Sequence, residues 1–156
     1  MKKINKNNSK QNIKNVLIGE DVKINDFVNL FDCKIEDQCM IGPFVEIQSN
    51  ARIGKRSRIQ SHSFICSGVI IENDVFIGHN VIFINDKHPS VENALKKTWR
   101  CLTTIVKNKA VIGSGAIIMG GITIGQGAFV GAGAVVTKNV PAGITVVGVP
   151  ARPLKK

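Results

Sequence analysis

The feature that most constrains this chain is an aliphatic or aromatic residue that recurs at every sixth position. A period of six fits neither an α-helix, with 3.6 residues per turn, nor a strand whose faces alternate. It is typical of a parallel β-helix, in which short strands and corners follow a fixed repeat. The first run is Ile35, Ile41, Ile47, Ile53, Ile59, Ile65, Ile71, Ile77 and Phe83, and the second is Val106, Ile112, Ile118, Ile124, Val130, Val136 and Ala142.

Three hexads make one triangular coil, so residues eighteen apart should stack inside a prism. We predict an all-β fold, a parallel β-helix of about six coils, spaced by about 4.8 Å. Upstream, Ile18, Ile24 and Leu30 fit the frame with one residue missing before Ile35. Ile-Gly pairs such as Ile124-Gly125 are predicted to mark corners where the backbone needs the conformational freedom of glycine.

The frame divides the 156 residues into three parts. Residues 1–15 are predicted to be a flexible basic leader, residues 16–147 the β-helix, and residues 148–156 a C-terminal tail. Within the β-helix the frame is lost over a loop at residues 86–105. A long excursion from a regular solenoid is a candidate functional loop, and a tolerated insertion is the alternative.

The net charge of +10 is concentrated at the two ends, which leaves the body nearly balanced. No aromatic residues are interleaved with the basic residues of the body, as stacking on nucleic-acid bases would require, so nucleic-acid binding is not expected. The leader has no apolar segment typical of a signal peptide or a membrane span. The four cysteines show no zinc-binding spacing, which favours a reduced, cytoplasmic protein.

The hexads, the loop and the ending from Val146 to Arg152 together resemble the hexapeptide-repeat acyltransferases. This resemblance covers almost the whole chain after the leader, and it implies a left-handed β-helix that uses acetyl-CoA as acyl donor. It also implies a homotrimer whose active sites lie between subunits. Shorter stretches are similar to the nucleotide-sugar 3-amino N-acetyltransferases, which acetylate a dTDP- or UDP-linked amino sugar during surface polysaccharide synthesis. These stretches are His62-Ser63-Phe64-Ile65-Cys66, Asp74-Val75-Phe76-Ile77-Gly78-His79-Asn80 and Phe83-Ile84-Asn85-Asp86.

A second branch of the superfamily, the galactoside and maltose O-acetyltransferases, has a catalytic histidine followed by proline at the entrance to the loop. His88-Pro89 falls at that place, so acetyl transfer to a sugar hydroxyl is the alternative function. The coenzyme A contacts of this branch map onto Ser114, Ala132, Thr137, Lys138, Arg152 and, with lysine in place of arginine, Lys155.

Thioester aminolysis needs a deprotonated amine, a carbonyl within reach and a donor for the developing oxyanion. His88 is a candidate general base, with a solvated loop histidine as the alternative. Asn85 and Asp86 are candidates for orienting the amine or the thioester, although ordinary turn chemistry explains the same dipeptide equally well. His79 and His62, about one coil apart, are candidate substrate-binding residues, and a structural role at a corner is the alternative.

Lys138, Arg152 and Lys155 are predicted to meet the phosphates of coenzyme A, although a solvated basic tail is the alternative. A zinc carbonic anhydrase has the same fold, but the resemblance there requires three histidines, two of them five apart. The histidines here are separated by 17 and 9 residues, so no metal site is predicted. A non-enzymatic scaffold or ice-binding β-helix would show a flat face of repeated threonine, which the sequence lacks.

Overall fold

The computed structural model describes residues 1–7 and 10–154, and in that part of the chain it is a parallel β-helix with one short α-helix. The predicted all-β class is confirmed. The elements are β1 (Lys2–Asn7), β2 (Gln11–Ile18), β3 (Lys23–Ile24), β4 (Val28–Phe31), β5 (Lys34–Ile35), β6 (Met40–Ile41), β7 (Glu46–Ile47), β8 (Arg52–Ile53), β9 (Arg58–Ile59), β10 (Phe64–Ile65), β11 (Ile70–Ile71), β12 (Phe76–Ile77), β13 (Ile82–Phe83), α1 (Val91–Lys96), β14 (Ile105–Val106), β15 (Val111–Ile112), β16 (Ile117–Ile118), β17 (Thr123–Ile124), β18 (Phe129–Val130), β19 (Val135–Val136), β20 (Thr145–Val147) and β21 (Arg152–Pro153).

The strands stack on three faces, and the chain crosses each face seven times. The first face holds the end of β2, then β5, β8, β11, β14, β17 and the bridge at Val140. The second face holds β3, β6, β9, β12, β15, β18 and β20. The third face holds the start of β2, then β4, β7, β10, β13, β16 and β19. The prediction of about six coils is therefore low by one, because the first coil begins at Gln11, inside the predicted leader.

The core is the set of columns that the six-residue period predicts. Ile41 pairs with Ile59 and Ile59 with Ile77, each eighteen residues on, and all three side chains are fully buried. Across the loop the spacing widens, and Ile77 pairs with Ile112 without leaving the column. Burial of these aliphatic side chains stabilises each coil against the next, which is the main driving force for a stacked repeat.

The N-terminal segment differs from the predicted flexible leader. Strand β1 runs antiparallel to β2, with Lys2 opposite Ile18 and Lys6 opposite Ile13. Ile4 packs against the core, and the backbone of β1 pairs with the first coil, which would otherwise present an open strand edge. The exposed lysines of β1 then place charge on the new edge, where charge discourages pairing with another chain.

The Ile-Gly pairs allow one coil to pack closely on the next. The sequence predicted a different reason, the conformational freedom of glycine at the corners. A Cβ atom at Gly125 would lie 2.4 Å from the backbone nitrogen of Ala142, and only glycine permits that approach. The left-handed backbone falls two residues later, as at Gly127, where φ is +62° and nothing lies within 4 Å.

Two corners of the prism hold most of the candidate site residues. Corner A joins the second face to the third, and its residues with positive φ are Phe27, Phe44, His62, Asn80, Gly115 and Gly133. Corner B joins the third face to the first, and residues 84–104 leave the prism there as the loop.

Ser90 caps α1 by accepting a hydrogen bond from the backbone N–H of Asn93 at 3.1 Å. The described residues include no helix long and apolar enough to cross a membrane.

Candidate active site

The structure divides the candidate residues between the two corners. His62, His79, Ser114 and Ala132 lie at corner A, on successive coils. Asn85, Asp86 and His88 lie where the loop leaves corner B, and Thr137 and Lys138 follow β19 at the same corner. Strand β13 runs from one corner to the other, so His79 and Asn85 are separated by six residues of chain, at most about 20 Å. The candidate residues of one chain thus lie at two different corners, and we call these two groups half-sites.

The imidazole of His79, a candidate substrate-binding residue, is more firmly oriented than that of His88, the candidate base. Its Nδ1 lies 2.8 Å from Oγ of Ser61, and its backbone N–H donates to Oγ of Ser114 at 3.1 Å. The ring is exposed, and within the described residues Nε2 makes no hydrogen bond. When Nδ1–H donates to Ser61, Nε2 keeps a free lone pair that can accept a proton from a substrate.

Sequence reasoning missed Ser61, although the repeat contains the signal for it. Ser61 precedes His79 by eighteen residues, and Ser114 follows His79 in the same column across the loop. His62 precedes His79 by seventeen residues, so it stands one residue away from that column and stacks with Phe44 instead.

His88 lies on the exposed loop, and its ring is not held by any described residue. Its backbone N–H donates to Oδ1 of Asp86 at 2.9 Å, which is the local turn bonding expected of aspartate. Asp86 therefore shapes the loop in this structure, and its second carboxylate oxygen makes no hydrogen bond to the described residues.

Asn85 has a defined orientation at the root of the loop. Its Nδ2 donates to the carbonyl oxygen of Ser67 at 3.2 Å, and the same carbonyl accepts from Sγ of Cys101 at 3.2 Å. Its backbone carbonyl accepts from the N–H of Leu102 at 2.9 Å, which closes the loop on itself. The amide oxygen Oδ1 of this half-buried side chain thus stays available to accept from a ligand.

Two of the candidate coenzyme residues come together at the C-terminal end of the prism. Lys138 and Arg152 line one cleft, together with Pro141 and Pro153. Both basic side chains are exposed, and neither forms an ion pair with a described residue. Thr137 and Ala132 are exposed, whereas Lys155 lies outside the described residues.

The three histidines are not gathered into a metal site. Among residues 1–7 and 10–154, no group of three histidine, cysteine or acidic side chains is placed to hold a metal ion. The thiols of Cys33, Cys39 and Cys66 are buried in the core, and burial raises the pKa of Cys33 and Cys66 to about 12.

The six-residue repeat matches the model of a known family. The bacterial transferase hexapeptide repeat, in six copies, matches residues 32–67 and 103–138, on either side of the loop. The chain carries this hexapeptide repeat in both blocks. The loop of this hexapeptide-repeat protein is thus an insertion between two blocks of regular hexads.

Several acyltransferases are similar to this chain in sequence or structure. The hexapeptide-repeat protein is 30% identical to galactoside acetyltransferase, solved in complex with coenzyme A, over 78% of this chain and 64% of that one, with a TM-score of 0.69. AntD, an N-acyltransferase from Bacillus cereus solved with dTDP and coenzyme A, superposes with a TM-score of 0.80 at 23% identity, over 88% of this chain and 82% of that one. This second likeness shows the shared fold.

A serine acetyltransferase of Buchnera aphidicola is 40% identical over 52 residues, which are 33% of this chain. The hexapeptide-repeat protein spans only 20% of the length of that relative.

Proposed function

We propose that this hexapeptide-repeat protein transfers an acetyl group from acetyl-CoA to the amine of a nucleotide-linked amino sugar, a dTDP- or UDP-3-amino-hexose, for surface polysaccharide synthesis. The observation that carries this proposal is the oriented imidazole of His79 on corner A. It lies between the candidate substrate-binding residue His62 and the candidate coenzyme residues. His62 precedes it by one coil, and Ser114 and Ala132 follow on the next two coils. The bound coenzyme A and dTDP of the structural neighbours support the same pair of substrates.

The reaction joins the amine nitrogen to the thioester carbonyl carbon and breaks the carbon–sulfur bond. Nε2 of His79 accepts the proton that the amine loses, and coenzyme A leaves as a thiolate that takes up a proton. Asn85 contributes its free Oδ1 as an acceptor for an N–H of the sugar amine, which points the nitrogen lone pair at the carbonyl. Proximity and orientation of this kind supply a large share of the rate enhancement in bimolecular transfers.

The two half-sites meet if the protein is a homotrimer, with corner B of one subunit placed against corner A of its neighbour. In that assembly Asn85, Asp86 and His88 from one loop face His79 of the next prism. A cyclic trimer also covers apolar side chains on the outside of the prism, such as Phe76 and Phe129, which are exposed in the single chain. Light scattering should therefore give three times the mass of 16.9 kDa, and a fully active monomer would contradict the assembly.

A thiol-release assay with acetyl-CoA tests the substrate class directly. The acceptors are dTDP- and UDP-linked amino sugars, the same nucleotide sugars with a hydroxyl in place of the amine, and simple galactosides. We expect release of coenzyme A only with the amino sugars. Reaction with the galactosides alone would assign the protein to O-acetylation, for which the His88-Pro89 pair is the supporting feature.

A further inference from the structure

Corner A begins with a stack of three aromatic rings. The ring centroids of Phe27 and Phe44 are 5.0 Å apart with the planes inclined by 10°, and those of Phe44 and His62 are 4.8 Å apart with an inclination of 22°. Phe27 and Phe44 remain 53% and 51% exposed, so the stack lies on the surface and adds little to the core. A surface stack of rings is the kind of platform on which planar ligands bind.

The backbone at all three rings has left-handed φ values, of 61°, 58° and 62°. Bulky residues rarely occupy this region, because the side chain crowds the following backbone. The next three coils carry Asn80, Gly115 and Gly133 at the same position. The series of rings therefore stops at His62, and beyond it corner A carries the short side chain of Asn80 and two glycines, a stretch that we call the groove.

The groove is open and has unused hydrogen-bonding groups at its aromatic end. A Cβ atom at Gly133 would meet nothing within 4 Å. The His62 ring nitrogens and the side-chain amide of Asn80 are exposed and make no hydrogen bond to the residues that the structure describes. His79, with its free Nε2, directly precedes Asn80 in the chain. The end of the groove thus combines one unstacked ring face with donors and acceptors at its rim.

We propose that this end of corner A binds the nucleobase of the nucleotide sugar. The base stacks on the open face of the His62 ring as the next ring of the series, and the Asn80 amide hydrogen-bonds to the edge of the base. The diphosphate and sugar then extend along the groove toward His79, while coenzyme A approaches from Ser114 and Ala132. This assignment rests on the proposed function, and it explains why the rings are placed on the coils that precede His79.

The test is the binding of dTDP and UDP to the full-length protein, measured by isothermal titration calorimetry without acetyl-CoA. Pyrophosphate, which lacks a base, and coenzyme A, which carries an adenine nucleotide, are titrated in parallel. We expect Phe44→Ala and His62→Ala each to weaken binding of dTDP about tenfold, and to leave pyrophosphate and coenzyme A unchanged. His62→Phe should retain most of the affinity for dTDP, because it keeps the ring. Lys109→Ala, at an exposed left-handed position on another corner, is the matched control and should have no effect.

Several results would overturn the assignment. Absence of binding heat with both dTDP and UDP at millimolar concentration contradicts the subsite. Unchanged dTDP affinity in both alanine variants contradicts it as well, as does a parallel loss of pyrophosphate affinity. A loss of affinity for coenzyme A alone would mean that the rings bind the adenine of coenzyme A and not the base of the nucleotide sugar. If the variants lose dTDP binding while no amino sugar is acetylated, the subsite stands and the proposed function fails.

Discussion

Oγ of Ser61 lies 2.8 Å from Nδ1 of His79, and the two residues are eighteen positions apart in the sequence. The hydrogen bond joins consecutive coils on the surface of the prism. It fixes one nitrogen of the imidazole, and it leaves the other directed to solvent at corner A. In the described part of the chain, His88 hydrogen-bonds through its backbone N–H, and its ring makes no hydrogen bond.

The first prediction concerns which histidine is the base. His79→Ala should lower kcat about a hundredfold, the usual contribution of a positioned general base, with little change in the KM for acetyl-CoA. The pH profile of kcat should lose its acidic limb at the same time. His88→Ala should stay within about threefold of wild type, measured by thiol release. The reverse pattern would make His88 the base, and two near-normal variants would mean that the amine attacks unaided.

The second prediction concerns Ser61 as a positioning residue. Ser61→Ala should reduce kcat about tenfold and should move the acidic limb of the pH profile, because the imidazole loses its partner at Nδ1. Ser61→Thr keeps a hydroxyl and should restore most of the activity. A uniform loss of activity in both variants, with an unchanged pH profile, would indicate a structural role only.

The third prediction tests whether the active sites lie between subunits. His79→Ala and Asn85→Ala proteins, each nearly inactive, are mixed in equal amounts, unfolded and refolded together. A site that takes His79 from one subunit and Asn85 from its neighbour should then be intact in about a quarter of cases. The control is the double variant mixed with either single variant, which should stay inactive. Absence of recovery in the mixed trimers would place the whole site within one chain.

The fourth prediction concerns coenzyme A. Lys138→Ala and Arg152→Ala should each raise the KM for acetyl-CoA about three- to tenfold and leave the KM of the sugar unchanged, since each removes a charge-assisted contact to phosphate from an exposed cleft. Lys109→Ala removes an equal charge from another corner and should have no effect. Unchanged acetyl-CoA kinetics in both variants would move the phosphate site elsewhere.

The fifth prediction is that the protein loses stability in acid when the carboxyl of Glu36 takes up a proton. Burial alone would raise the pKa of this carboxyl, but the hydrogen bonds from Arg52 and Lys34 outweigh it and hold the pKa below its usual value. Nε and Nη2 of Arg52 both donate to Oε1 of Glu36, at 3.1 and 2.5 Å. A lowered folded-state pKa stabilises the protein above the unfolded pKa of about 4.3, and this stabilisation is lost as the pH falls through the folded value.

Urea unfolding at several pH values measures this effect. Glu36→Gln should lower the free energy of unfolding by about 1 kcal/mol at pH 7 and by less at pH 3, because the wild-type carboxyl takes up a proton as the pH falls through its folded pKa. Glu20→Gln, at an exposed acid, is the control. An equal difference between Glu36→Gln and wild type at both pH values would show that the ion pair does not contribute.

The sequence by itself determined the architecture, because a six-residue period has only one efficient way to bury its aliphatic residues. The column of Ile41, Ile59 and Ile77 follows from counting, and so does the place where the loop must leave the prism. The same counting would have paired Ser61 with His79, since a column on the outside of the prism obeys the same spacing as a column inside.

The tertiary structure decided what the period does not encode. The leader could not be recognised as a strand, because β1 is held by pairing with the edge of the first coil and by burial of Ile4, and both depend on the finished prism. The separation of His79 from Asn85 at opposite ends of β13 likewise depends on how the corners are directed in space. The ring stack of Phe27, Phe44 and His62 depends on left-handed backbone at each corner, a conformation that the residue types themselves disfavour and that the stacked coils impose.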